Sequence, residues 1–160
     1  MKMLAALLAL SLLPSSVAAS GTAPLSPLLG SWAVDVSRLP VPPEARPKSV
    51  TMTFSERLGG KWETQVEIIA KDGSTRRMTS AYALDGTAAP IDGDRLEADT
   101  AAVKMPTTNV LVLALAKGSS PASTRIYTVA PDGREMVETA VYFDDNGKVV
   151  MRTNYFNRLR

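Results

Sequence analysis

Five pairs of an acid or amide followed by glycine punctuate this 160-residue chain: Asp72-Gly73, Asp85-Gly86, Asp92-Gly93, Asp132-Gly133 and Asn146-Gly147. Such a pair between alternating hydrophobic runs is the strongest short-range hairpin signal, because a type I′ turn needs positive φ at both central residues. The flanking segments alternate with a period of two. Val50, Met52 and Phe54 share one face, with Thr51, Thr53 and Ser55 on the other. Trp62, Thr64, Val66 and Ile68 oppose Glu63, Gln65 and Glu67, and Met78, Ser80 and Tyr82 oppose Arg77, Thr79 and Ala81. That period, with one polar face, predicts half-buried strands of an antiparallel sheet. The chain is expected to fold back on itself repeatedly, as a β-meander.

Gly30 to Val36 reads as the first strand. Pro40, Pro42, Pro43 and Pro47 then crowd together and predict an extended loop, since proline cannot donate to a central ladder. Asp85 to Asp99 is irregular, with short strand pieces, and Thr100 to Met105 reads as a strand ended by Pro106. Asn109 to Ala116 is apolar on both faces and reads as a central strand covered on both sides by a terminal segment or a partner. Thr124 to Ala130, Arg134 to Phe143 and Lys148 to Phe156 complete a set of about 8–10 strands with no helix. An open sheet of this size would leave two edges and an apolar face uncovered, and closure removes both problems. The expected fold is all-β, a single antiparallel up-and-down barrel of about 8–10 strands, with a two-sheet sandwich as the alternative.

The first residues read as an address. Lys2 is the positive start, Leu4 to Leu13 a short apolar run, and Val17-Ala18-Ala19 the small residues of a cleavage site. Residues 1–19 are expected to be a signal peptide cut after Ala19, an uncleaved anchor being the alternative, and the protein to be periplasmic or secreted. Residues 20–28 read as a flexible leader and 29–158 as one barrel domain, with no transmembrane anchor after cleavage. The chain has neither cysteine nor histidine. Disulfides are thereby absent, and the commonest metal ligands, general base and nucleophile partners are missing, so no metal, no cofactor and no enzyme activity are expected. Net charge is +2, with bases and acids mixed along the chain, which offers no basic stripe for nucleic acid.

Gly30-Ser31-Trp32 with Val34-Asp35, the stretch Tyr82-Ala83-Leu84-Asp85-Gly86 through Pro90-Ile91-Asp92-Gly93 to Ala98-Asp99-Thr100, and Val129-Ala130-Pro131-Asp132-Gly133 together resemble small secreted bacterial lipocalin-like proteins. The resemblance covers roughly Leu29 to Arg158. It implies a calycin-type barrel in which Trp32, after Gly30, packs under the barrel against a basic residue late in the last strand. Arg158 fits that role, with Arg152 as substitute. The relatives are mostly of unassigned function, so the resemblance implies a fold more than an activity.

By strand parity the inward residues are expected to be Met52, Phe54, Val66, Met78, Tyr82, Thr139, Val141, Met151 and Tyr155, joined by Thr64, Val137 and Thr153. They mix large apolar groups with a few hydroxyls, which suits a small apolar or amphipathic ligand; a solid core is the alternative. Asp92 to Asp99 fails the calcium-loop pattern and reads as a solvated turn. Glu63, Glu67, Glu135 and Glu138 read as charged exterior. Arg76-Arg77 reads as a solvated doublet or a contact for an anionic ligand. The function expected is therefore an exported, non-enzymatic barrel binding a small hydrophobic or amphipathic molecule, the rival being an interaction module with a solid core. The oligomeric state is left open.

Overall fold

A computed structural model describes residues 25–160. The signal segment 1–19 and residues 20–24 of the leader lie outside the described residues. Eleven strands follow in chain order: β1 Gly30–Val34, β2 Ser49–Glu56, β3 Trp62–Ile69, β4 Thr75–Tyr82, β5 Asp85–Pro90, β6 Asp92–Gly93, β7 Thr100–Thr107, β8 Val110–Lys117, β9 Ser120–Val129, β10 Glu135–Phe143 and β11 Val149–Arg158. All pair antiparallel in one sheet, ordered β5-β7-β8-β9-β10-β11-β1-β2-β3-β4-β6. Among the described residues there is no α-helix, only three short 3-10 turns. The first and last strands meet, with Trp32 opposite Arg158 and Val34 opposite Phe156. The sheet is thus a nearly closed barrel, as the meander pattern predicts, with the irregular stretch contributing one short strand and one two-residue strand.

The seam lies between β4 and β7, where β5 and β6 fill the space. Ser80 Oγ donates to the Pro90 carbonyl at 2.9 Å, and Asp94 N donates to the Arg77 carbonyl at 2.7 Å. The Arg76 guanidinium holds the Asp94 carboxylate by two bonds of 2.7 and 3.0 Å. Side chains and single backbone bonds close this part of the wall in place of a continuous ladder.

Three of the five glycine pairs form hairpin turns, in a geometry other than type I′. No described residue except glycine has positive φ. Gly73 N bonds the Ala70 carbonyl at 3.0 Å, Gly133 N that of Ala130 at 2.9 Å and Gly147 N that of Asp144 at 2.8 Å. Each is a type I turn closed by a left-handed glycine, the bulged form of the hairpin loop. Asp72 Oδ1 accepts from Ser74 N at 2.8 Å and Asp132 Oδ1 from Arg134 N at 3.0 Å. In those two turns the acid before glycine therefore serves as a local backbone acceptor. Asp85-Gly86 and Asp92-Gly93 are not hairpin turns; they lie within β5 and β6. Pro106 does not end β7, which runs on to Thr107 through a register shift.

One end of the barrel is packed solid. Leu28, Trp32, Phe54, Val129, Met136 and Phe156 are all buried there. Tyr127 meets Phe54 and Phe156 edge-on at 5.9 and 6.1 Å. Ser26 to Leu28, read from sequence as flexible leader, belongs to this plug. Leu28 is fully buried, its carbonyl accepts from Trp32 Nε1 at 2.9 Å, and Ser26 Oγ donates to the Thr108 carbonyl at 2.5 Å. Arg158 lies 4.1 Å from the Trp32 ring and donates to the carbonyls of Gly133 (2.6 Å), Leu29 (2.8 Å) and Pro27. It ties the β9–β10 turn to the chain entering β1.

Candidate ligand-binding lumen

Above the plug the interior is open. A cavity of about 440 Å³ runs from Tyr127 to the Pro-rich loop, whose Leu39, Val41 and Pro47 form its rim. The loop is held by Arg46, which donates from Nε to the Val41 carbonyl at 3.1 Å and from Nη2 to that of Leu39 at 3.3 Å. The walls are largely apolar, with Val50, Val66, Ile68, Met78, Leu113 and Leu115 facing inward.

Met52, Val66, Met78 and Tyr82 line this cavity, as does Thr64. Phe54 faces inward but is spent in the plug, at 2% exposure. Tyr82 bonds Thr64 through its hydroxyl, and burial pushes its phenol up to about 12.

On β10 and β11 the structure reverses the expected faces. The buried residues of β10 are Met136, Glu138 and Ala140, and those of β11 are Asn154 and Phe156. Thr139, Val141, Met151 and Tyr155, with Val137 and Thr153, stand on the outer wall instead. Met151 is 67% exposed, and Tyr155 is capped from outside by the Arg38 guanidinium, 3.2 Å from its ring. The reason is the composition of the two strands: their outer parity is more apolar than their inner one, so hydrophobicity points to the wrong face. β8 is central, between β7 and β9, but its second face is not covered, since Ala114 is exposed. Val112 opposite Ile126 and Val141 opposite Met151 extend that outer wall without a charge.

The reversal brings a polar group into the lumen. Glu138, read as exterior, is 2% exposed. Its Oε1 accepts from Tyr127 Oη at 2.8 Å and Arg125 Nη1 at 3.3 Å, and its Oε2 from Asn154 Nδ2. Arg125 also bonds Glu97. Burial opposes the charge of Arg125, but the neighbouring Tyr127, Glu138 and Glu97 hold it protonated above its ordinary range. Burial, then the Glu138 charge, raise the Tyr127 phenol well above 10.0. Arg76 of the basic doublet lines the lumen paired to Asp94, whose carboxyl that guanidinium lowers to about 2, whereas Arg77 pairs with Glu67 outside. Five bases, Arg46, Lys71, Arg76, Arg125 and Arg152, and three acids, Asp94, Glu97 and Glu138, line the cavity.

A signal for the inner face of β11 was present in the sequence. If Arg158 packs on Trp32, then Phe156, Asn154 and Arg152 share its face by the period of two, and Tyr155 cannot. Glu138 and Arg125 had no such marker.

No protein-family profile matches the chain, and no curated protein does. Solved structures match in fold. An asparagine-to-alanine mutant of the fluorescent protein UnaG superposes with a TM-score of 0.53 over 84% of this chain and 97% of that one, at 16% identity. The asparagine-to-glutamine mutant gives 0.51 over 81% and 94%, at 14% identity. At that identity the likeness shows the fold alone: this chain is an all-β, antiparallel, nearly closed barrel.

Proposed function

We propose that this protein is an exported, non-enzymatic barrel that holds a small amphipathic molecule in its lumen. The observation that carries this reading is the mostly apolar cavity of about 440 Å³, within the usual pocket range of roughly 300–1,000 Å³. At roughly 30 Å³ per water-sized volume it accommodates on the order of 15 heavy atoms. Burial of the apolar part supplies the affinity, at about 25 cal/mol per Å², and the polar cluster around Glu138 orients the rest. The open lumen counts against a solid-core interaction module. The absence of histidine and cysteine supports a binding role, and the apolar run with its small-residue site in 1–19 supports export.

An environment-sensitive apolar dye titrated into the protein is expected to bind saturably, one per chain. Leu113→Trp, which fills the lumen from the β8 wall, is expected to weaken binding by tenfold or so. Absence of saturable binding to the parent protein removes the proposal. Export is checked separately: the amino terminus of protein recovered from the cell envelope or medium is expected to be Ser20.

A further inference from the structure

Five bases and three acids line the cavity, and the acids are all taken. Arg76 is paired with Asp94, and Arg125 with Glu138 and Glu97. At the mouth, Arg46 is bonded to carbonyls of its own loop and Lys71 is exposed in the β3–β4 turn. Arg152 is left. It is half-buried on the inner face of β11, on the mouth side of Asn154 and Phe156, and makes no ion pair among the described residues. Residues 1–24 contain no Asp or Glu that could supply one. Its guanidinium rests 5.5 Å from the Tyr142 ring. The Nε is enclosed without a partner, while the two terminal nitrogens, also without a partner among the described residues, stay accessible where the side chain lines the cavity.

A charge taken this far out of water calls for an opposite charge. Glu138 does not answer it: that carboxylate stands one row nearer the plug, and its oxygens accept from Tyr127, Arg125 and Asn154. Glu97 is turned half outward, at 48% side-chain exposure. The register sets Arg152 and Arg125 on either side of Ala140, so two guanidinium groups share one inner row, about 10 Å apart at the backbone. We infer that the lumen selects an amphipathic anion, its oxyanion head on the terminal nitrogens of Arg152 and its tail against Val66, Met78 and Leu113. This rests on the lumen being a binding site. The guanidinium fork grips two oxygens of one oxyanion at once, whereas a neutral head leaves the charge unanswered and a cation meets an excess of bases. Lys71 and Arg46 at the mouth draw the same sign of charge inward. With Nε already enclosed, the fold has met part of the cost of desolvating Arg152, so an anionic head is favoured over a neutral one by about tenfold or more.

The test compares decanoate with decanamide, which share a tail and differ in the charge of the head. Binding to the purified protein is measured by displacement of the apolar dye at neutral pH, where the acid is ionised. Decanoate is expected to bind at least about tenfold more tightly, and Arg152→Met to bring the two within about twofold of each other. Arg77→Met, which removes the same charge from the outer wall, is expected to keep the preference. Equal or tighter binding of decanamide by the parent protein overturns the inference, whether or not the variants fold, and leaves the lumen reading intact. Dye binding that neither compound displaces overturns it alone, as does a preference for decanoate that survives in folded Arg152→Met protein. If neither the dye nor the two compounds enter, the lumen reading falls with it.

Discussion

Gly30 carries two constraints at once. Its φ is 111°, a region side-chain-bearing residues rarely adopt, and an added Cβ would stand 3.0 Å from Arg158 Nη1. Gly30→Ala is therefore expected to destabilise the barrel by about 1–3 kcal/mol, read as a lower urea midpoint with an unchanged slope. A midpoint within error of the parent would show that Arg158 does not depend on this approach. Arg158 reaches three carbonyls and an indole face through one planar fork, which a lysine cannot reproduce. The pairing of Trp32 with Arg158 was expected because the resemblance carried by the ordered set of motifs implies it. The cluster of Arg125, Tyr127, Glu138 and Asn154 was not. Nothing local to Glu138 distinguishes a glutamate that faces water from one that faces an arginine on the neighbouring strand.

On the scale of strands, β10 and β11 show how periodicity can give the spacing and miss the side. Both alternate cleanly, yet their more apolar rows face out. The paired prediction is that Met151→Glu, on the outer wall, changes stability by less than about 0.5 kcal/mol. Met52→Glu, on the inner wall, is expected to cost about 3 kcal/mol or more through an unpaired buried charge. Equal costs in urea unfolding would mean that the faces are assigned wrongly. The seam offers a second test. Arg76 lowers the Asp94 carboxyl from 3.8 to about 2, so the pair contributes stability above pH 3.8 that is lost as pH falls through 2. Amide exchange in Asp92 and Gly93 is expected to rise in that acid window ahead of exchange in β8 and β9. Arg76→Met is expected to raise it already at neutral pH. Simultaneous loss of protection in all strands at acid pH would contradict a seam held by this pair.

The whole barrel unites a packed end, an open lumen and a seam, and its response to alkali follows from the tyrosines it buries. Tyr82 is pushed up to about 12 from 10.0. Stability is fully present below pH 10 and falls as pH rises toward 12, by about 1.4 kcal/mol per pH unit for this group, since the unfolded chain gives up the proton first. Tyr127 acts in the same direction. Urea midpoints followed through this range should decline, and less steeply in Tyr82→Phe; identical profiles would show that Tyr82 ionises alike in both states. The chain by itself determined the all-β class, the turns near 72, 132 and 146, and the meander order. These depend on neighbours in sequence: alternation, a left-handed glycine and the acid before it. Only the tertiary structure decided which side of β10 faces in, that Ser26 to Leu28 join the plug, and that a buried Glu138 is matched by Arg125 and Asn154. Those outcomes depend on β1 pairing with β11, because closing the ring fixes the parity of its strands together, and a strand read alone has two equivalent faces until its neighbours choose one.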